Sequence, residues 1–444
     1  MASEDLKIEI RGQDTYTEGE FELKNAAIIL FVAMYVVMIV RPKWRTLAAL
    51  ITGAIFLVTG ILPVRSVFNE IDWNVILMIA GTMVVVDYFI ESKMPNRIAD
   101  ILLDKADNVM WVTIYMSLFA GVISAFIDNV ATVLMVAPVG LAVCRKLKIS
   151  PVGMLISIAV SSNLQGAATL VGDTTSIMLG AYARMDFTSF FFMKGRPGIF
   201  WAVELGALAT IPVLMLLFRK QKEPVHADEM TKVSDFVPSF MLLSVVAALI
   251  TASFIPGKPD ITNGLICCCM AGVSILYDLI RTKKTKGLVR ALKGIDFSTI
   301  YLLIGLFTVI GGIKAVGIID DVAAAISRIG GSSLFLLYTV VVFGSVAISA
   351  FIDNIPYVAT MLPVMQGVST MLGIEPYLLY FGLLTGATLG GNLTPVGASA
   401  NITVIGILEK NGERVSFSDF ARIGVPLTLT AVLAGYLFIW AVWH

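Results

Sequence analysis

Apolar residues run through this chain in blocks of 16 to 36, separated by short polar or basic turns, and the block lengths carry most of what can be read first. A bilayer-crossing helix needs about 20 mostly apolar residues. On that measure the blocks near 26–41, 46–63, 73–90, 152–183, 198–218, 238–255, 261–280, 296–313, 377–408 and 420–443 predict ten crossings. Two further blocks, 110–144 and 333–368, are too long for one crossing. Each holds an Asp-Asn pair near its middle, so each is expected to enter and leave on one side as a re-entrant hairpin. Two complete spans joined by a tight turn would satisfy the same parity. The residues beside Asp128 and Asp353 favour hairpins, because they are apolar rather than loop-like, and non-helical backbone at depth is tolerated where it lines a protein cavity.

The two long blocks share the sextet Ser-Ala-Phe-Ile-Asp-Asn, at 124–129 and 349–354, with a proline ten positions after each aspartate. The offset of 225 persists beyond them. It pairs Pro151 with Pro376, Thr169 with Thr394, Gly172 with Gly397 and Ile177 with Ile402, and an offset of 224 pairs Gly81 with Gly305. The chain therefore reads as a polar tail (1–25), a first repeat (26–220), a linker (221–236) and a second repeat (237–444). Five crossings per repeat is an odd number, so the second copy is expected upside down relative to the first, as in secondary transporters. The expected fold class is an all-α polytopic membrane protein, an inverted repeat of five transmembrane helices plus one hairpin each, with helices broken at the midplane.

Composition supports the membrane frame: 57% of residues are apolar and 14% charged, against about 25% charged in soluble domains. The 32 basic and 32 acidic residues cancel, so nothing in the balance suggests nucleic acid. Position says more than balance. Lys43, Arg45, Arg145, Lys146, Arg219, Lys220 and the run from Arg281 to Lys293 fall on one side of the expected topology, which the positive-inside rule makes cytoplasmic, while Arg65, Arg184, Lys194, Arg196, Lys258 and Lys314 fall on the other. Both termini would then lie outside. The N-terminal residues lack the order of a cleaved signal. Four cysteines, Cys144 and Cys267 to Cys269, have no metal-ligand spacing, and two histidines, His226 and His444, leave no histidine relay.

Chemistry concentrates at the tips and in the segment after each. Asp128, Asn129, Asp353 and Asn354 form the tips and are the candidate Na⁺ ligands; Asn163, Thr169, Gly172, Asp173, Thr174 and Thr175 follow the first, and Thr394, Gly397, Ser399 and Asn401 the second. Glycine clusters and Pro395 break a membrane helix, exposing half-helix amides that favour anions and carbonyls that hold cations. An aspartate in hydrocarbon costs about 2.5–3.5 kcal/mol on insertion scales, so it turns to a cavity, an ion or a partner. Asp-Asn also caps helices well, a purely structural alternative. Asp87, Glu204 and Asp278 occur singly and read as interface or packing features, and Ile319 to Asp321 as an amphipathic surface stretch.

The phrases IDWNVILMIAG, SAFIDNVATVLMVAP, SAFIDNIPYVATMLPV and GGNLTPVGASANI resemble the ion transporter superfamily that contains the arsenite permease, NhaD-type antiporter, citrate transporter and P-protein groups. The resemblance spans essentially the whole chain. It implies a scaffold domain that often dimerises and a mobile domain carrying both hairpins, hence an elevator-type mechanism in a homodimer. In the dicarboxylate branch the tips read Ser-Asn-Thr; here they read Asp128-Asn129-Val130 and Asp353-Asn354-Ile355, closer to the P-protein and NhaD-like groups.

The function these residues imply is a secondary active transporter of a small ion or an organic or inorganic anion, coupled to a Na⁺ or H⁺ gradient, in a plasma or inner membrane. Na⁺/H⁺ antiport is the alternative, and an ion channel a further one, since re-entrant loops also build filters. No enzyme and no cofactor beyond a coupling ion is expected. An intramembrane aspartyl protease fits poorly because its two acids would sit in identical sextets. The absence of a Gly-x-x-x-x-Gly-Lys-Ser/Thr motif points to an ion gradient as the energy source unless a separate ATPase subunit binds.

Overall fold

In the computed structural model, which describes residues 7–9, 15–225, 230–330 and 333–444, the chain is helical almost throughout. Parts of the expected tail and linker, His226 among them, lie outside the described residues. Two small antiparallel ribbons, Lys7–Glu9 with Thr15–Thr17 and Phe192–Met193 with Arg196–Pro197, complete the secondary structure.

Among the described residues eight helices are long and apolar enough to cross a bilayer: Phe21–Val40, Trp73–Glu91, Asn129–Leu147, Ile199–Phe218, Thr262–Thr282, Phe297–Ala315, Asn354–Leu372 and Phe417–Trp443. The protein is a multi-pass integral membrane protein. Six of these helices answer expected crossings. Two more, Asn129–Leu147 and Asn354–Leu372, are the limbs that leave the Asp-Asn tips. The expected crossings near 46–63 and 238–255 hold helices of 14 and 17 residues, Arg45–Val58 and Val237–Ser253. At about 1.5 Å per residue these are shorter than a bilayer core of about 30 Å. The first long helix begins at Glu18, inside the expected tail, where acidic residues suit the positive end of a helix dipole.

The chain divides into two units, each drawing on both halves of the sequence. The smaller comprises 1–72, 297–337 and 359–376. Its core is the crossing of Arg45–Val58 with Phe297–Ala315, which is close because the residues at the crossing are small. A Cβ added to Gly305 would lie 2.7 Å from the Ala49 backbone, and one on Gly312 2.2 Å from the Phe56 ring. Polar clasps accompany it: Thr46 Oγ1 meets Ser298 Oγ at 2.8 Å, and Tyr35 OH meets Thr360 Oγ1 at 2.7 Å. The Ile-Asp-Asp stretch starts the amphipathic helix Ile318–Gly330, which buries Ile318, Ile319 and Ala323 and exposes Asp321 to pair with Lys24 at 2.7 Å.

The larger unit comprises 73–296, 338–358 and 377–444 and holds every candidate site residue. Trp73–Glu91 packs on Thr262–Thr282 at backbone distance, since a Cβ on Gly81 would reach within 2.5 Å of the Cys267 carbonyl carbon. Asn74 Oδ1 accepts the Gly264 N–H at 2.7 Å in the same seam. Ile199–Phe218 packs on Phe417–Trp443 through Gly206 and Ala431. A ring stack of Tyr338 on Tyr436, centroids 5.0 Å apart, closes one end, with the Tyr338 hydroxyl donating to the Tyr436 carbonyl at 2.9 Å.

Candidate functional site

Each sextet folds the same way. Helix Val109–Ser124 ends, four residues turn, and helix Asn129–Leu147 begins with Asp128 as its N-cap; helix Leu334–Ser349 ends, four residues turn, and helix Asn354–Leu372 begins after Asp353. The aspartates cap because a helix start leaves amide donors without partners and a carboxylate both accepts their bonds and complements the helix dipole. Asp128 Oδ1 accepts from the Val130 and Ala131 amides at 2.9 and 3.2 Å, and Asp353 Oδ1 from the Ile355 amide at 3.0 Å. One carboxylate oxygen of each is thus engaged in capping. Both side chains stay half-buried, while their neighbours Asn129 and Asn354 are buried.

The segments after the tips are interrupted where glycine and polar residues cluster. Helix Val152–Gly166 stops and resumes as Thr174–Tyr182; helix Tyr377–Gly390 stops and resumes as Ser399–Lys410. The interruptions are clamped to the tips by matching contacts. Thr169 Oγ1 donates to the Ala125 carbonyl and Thr394 Oγ1 to the Ala350 carbonyl. Gly172 lies so close to its surroundings that an added Cβ would be 2.5, 2.7 and 2.8 Å from the oxygens of Gly166, Ser124 and Ala125. For Gly397 the distances are 2.6, 2.8 and 2.8 Å, to the oxygens of Gly391, Ala350 and Ser349. Every partner in one list is offset by 225 from a partner in the other. The Ser176 hydroxyl reaches the Gly166 oxygen at 3.2 Å, and Asn401 Nδ2 reaches the Gly391 oxygen at 3.1 Å and the Thr394 oxygen at 3.1 Å. Asn401 Oδ1 is buried and finds no protein donor among the described residues.

A hydrogen-bonded path joins the two tips. Asn129 Nδ2 donates to Asn163 Oδ1 at 2.9 Å; Asn163 Nδ2 donates to the Thr388 carbonyl at 2.7 Å and to Asn392 Oδ1 at 3.1 Å. The Thr388 and Thr175 hydroxyls meet at 3.3 Å, and Thr175 Oγ1 donates to Asp173 Oδ2 at 3.0 Å. Asp173 Oδ2 also accepts from Asn354 Nδ2 at 3.4 Å, while Asp353 Oδ2 accepts from the Ser399 hydroxyl at 3.3 Å. Asn163, Thr175 and Thr388 are fully buried, and Asp173 and Asn354 nearly so. The candidates therefore fall into two groups: Asp128, Asn129, Asn163, Asp173, Thr174, Thr175, Asp353, Asn354 and Ser399 lie on or beside this path, Thr174 through its amide on Asp173. Thr169, Gly172, Thr394, Gly397 and Asn401 hold the broken backbone in place. Thr388 and Asn392 were not among the candidates, although both stand in the polar centre of their segment; what singles them out is contact with the other repeat.

The two halves differ in charge. Asp173 caps helix Thr174–Tyr182 through the Thr174 amide at 2.7 Å, whereas its counterpart Ala398 leaves helix Ser399–Lys410 with no side-chain cap. Three carboxylates and several hydroxyls, amides and backbone carbonyls thus gather in one unit with no lysine or arginine among them. The described residues contain no group of three or more His, Cys, Asp or Glu side chains able to hold a metal ion.

The sequence profile of the family described as "Citrate transporter" matches residues 35–386 and 260–444. The chain belongs to the citrate transporter family. Relatives agree on a transporter: an uncharacterized transporter of Mycobacterium tuberculosis is 30% identical over 432 residues, covering 93% of this chain and 97% of its own. The mouse P protein is 25% identical over 498 residues, covering 93% of this chain and 60% of the P protein. Among solved structures, MtrF of Neisseria gonorrhoeae, from a class of antimetabolite efflux pumps, is similar with a TM-score of 0.61 at 15% identity over 94% of both chains. The YdaH transporter of Alcanivorax borkumensis is similar with a TM-score of 0.58 at 13% identity, over 84% of this chain and 86% of its own. The protein is a membrane transporter, not an enzyme.

Proposed function

We propose that this protein is a secondary active transporter in which a cation, Na⁺ or H⁺, binds at the Asp-Asn tips and is coupled to movement of a small anion. The observation that carries the reading is the hydrogen-bonded path from Asn129 to Asn354 through Asn163, Thr388, Thr175 and Asp173, because it makes one polar site out of two half-sites. With no basic side chain in the set, an anion would be held by amides, hydroxyls, helix N-termini and the bound cation itself.

The contact-for-contact likeness of the two halves supports an inverted repeat with the helices broken at mid-membrane. In this reading the larger unit carries the site across the bilayer as an elevator, and the protein works as a homodimer, as the superfamily resemblance implies. The family description makes citrate the first anion to test. The tips argue for a cation site in any case, since an acid stands where the dicarboxylate branch has a neutral serine.

The test is flux into proteoliposomes with Na⁺ and pH gradients imposed separately, across citrate, other carboxylates, arsenite and chloride. Gradient-driven flux is expected for at least one anion and is expected to fall in Asp128→Asn and Asp353→Asn. Unchanged flux in both variants would remove the carboxylates from the mechanism. Cation exchange with no anion moved would establish the Na⁺/H⁺ antiport alternative.

A further inference from the structure

Outside the site, the most heavily basic stretch of the chain is built into a short helix with two unlike faces. Helix Lys286–Gly294 follows the spanning helix Thr262–Thr282 after a sharp turn in which Lys283 takes a left-handed conformation, φ +52°. Its inner stripe is small. A Cβ on Gly287 would lie 1.8 Å from Asp278 Oδ2, Ala291 is fully buried, and a Cβ on Gly294 would be 3.3 Å from Asp87 Oδ1. Arg290, on the same stripe, clamps the helix to the end of Trp73–Glu91. Its Nε bonds Asp87 Oδ2 at 2.8 Å, its Nη1 lies 3.1 Å from Glu91 Oε1, and its guanidinium stands 5.5 Å over the Tyr88 ring. The positions three, four and seven apart that form this stripe fix how the helix lies.

The outer face is then set by elimination: Lys286, Val289, Leu292 and Lys293 are exposed, with Lys283 and Lys284 exposed in the turn. Arg281 pairs with Asp235, but none of these four lysines has an ion pair among the described residues. The outer face carries about four uncompensated positive charges around two exposed apolar side chains. Val289 and Leu292 stand exposed among these lysines, and that pairing of aliphatic and cationic side chains is the one an interfacial helix presents. At a bilayer surface, aliphatic side chains enter the headgroup layer while lysines meet anionic headgroups.

We infer that helix Lys286–Gly294 and the Lys283-Lys284 turn form an interfacial site for anionic phospholipid headgroups on the basic side of the membrane. Arg290, neutralised by Asp87 and Glu91, anchors the helix rather than touching lipid. The site lies on the same unit as the candidate transport site, and its occupancy sets how that unit is held against the lipid surface.

The experiment uses the full chain in nanodiscs. Leu292→Trp places a reporter on the outer face, and its quenching, taken relative to the parent protein, is compared with brominated phosphatidylglycerol and brominated phosphatidylcholine at equal mole fraction. The proposal expects quenching by the anionic lipid to be stronger by about threefold or more. That excess is expected to shrink with salt as screening sets in and to disappear in a Lys283→Gln/Lys284→Gln/Lys286→Gln/Lys293→Gln background, with glycerol phosphate in solution leaving it unchanged. Equal quenching by both lipids removes the anionic selectivity. Quenching by neither removes the helix from the membrane surface, and competition by glycerol phosphate makes the feature a soluble-anion site; each overturns the proposal. Because the readout involves no transport, it is independent of the assignment of the tips.

Discussion

Asn163 and Thr388 are separated by 225 residues, the offset that relates the two repeats, and Asn163 Nδ2 donates to the Thr388 carbonyl at 2.7 Å. Each is the other's counterpart, so their contact marks the place where the two halves of the site meet. Asn163 is fully buried and spends both ends of its amide, accepting from Asn129 and donating to Thr388 and Asn392. Asn163→Leu leaves the Asn129 amide and the Thr388 carbonyl without their partners in the interior. A buried orphan costs about 1–3 kcal/mol, so the variant is expected to melt lower than the parent in a detergent thermal-unfolding assay. Asn163→Gln is expected to recover little, because the amide cannot reach the same atoms.

The tips separate capping from ion binding. Asparagine caps a helix about as well as aspartate, and alanine costs about 1 kcal/mol. Asp128→Asn and Asp353→Asn are therefore expected to keep the melting temperature while losing ion-coupled flux, and Asp128→Ala to lose both. Equal loss of stability in the asparagine variants would show that the second carboxylate oxygen, not the cap, carries the structural role.

Gly172 and Gly397 are predicted to tolerate no side chain. An added methyl would meet three backbone oxygens within 2.8 Å in each case, and none of these can swing aside. Overpacking of this kind costs about 1–3 kcal/mol or more. Gly172→Ala and Gly397→Ala are expected to lower yield and melting temperature, whereas Gly272→Ala, with open space around it, is expected to leave both unchanged. Size-exclusion profiles and thermal unfolding of the three variants decide the matter.

The clamps provide a symmetry test. Thr169→Val and Thr394→Val remove the hydroxyls that bond the Ala125 and Ala350 carbonyls with little change of shape. Each is expected to destabilise by about 1–2 kcal/mol, by similar amounts, since the contacts are the same. Measured by thermal unfolding of the full chain, a large difference between them would show that the halves are not mechanically equivalent.

Much of this was legible in the sequence, for identifiable reasons. Block length and hydropathy report membrane spans because hydrocarbon penalises every exposed polar group, and the repeat reports itself through identity at a fixed offset. Both tips and both interruptions could be read from residue types alone. Helix length was less legible. The apolar blocks at 46–63 and 238–255 end in helices of 14 and 17 residues because local turns, not hydropathy, decide where a helix stops.

What the sequence could not supply is which polar groups meet. Asn163 and Asn392 are not related by the repeat offset, and no periodicity predicts their bond; packing of two interrupted helices brings them together. The division of labour among the candidates was likewise a tertiary outcome. Thr169, Gly172, Thr394 and Gly397 are candidate ligands by composition, and the fold adds that the two threonine hydroxyls and the two close-packed glycines fasten the break. Sequence by itself determined that this chain lives in a membrane, is doubled, and carries acid at two equivalent tips, because those properties depend on residue type and spacing. Tertiary structure decided that the tips share one connected polar path, because a hydrogen bond depends on distance and direction that only the folded chain defines.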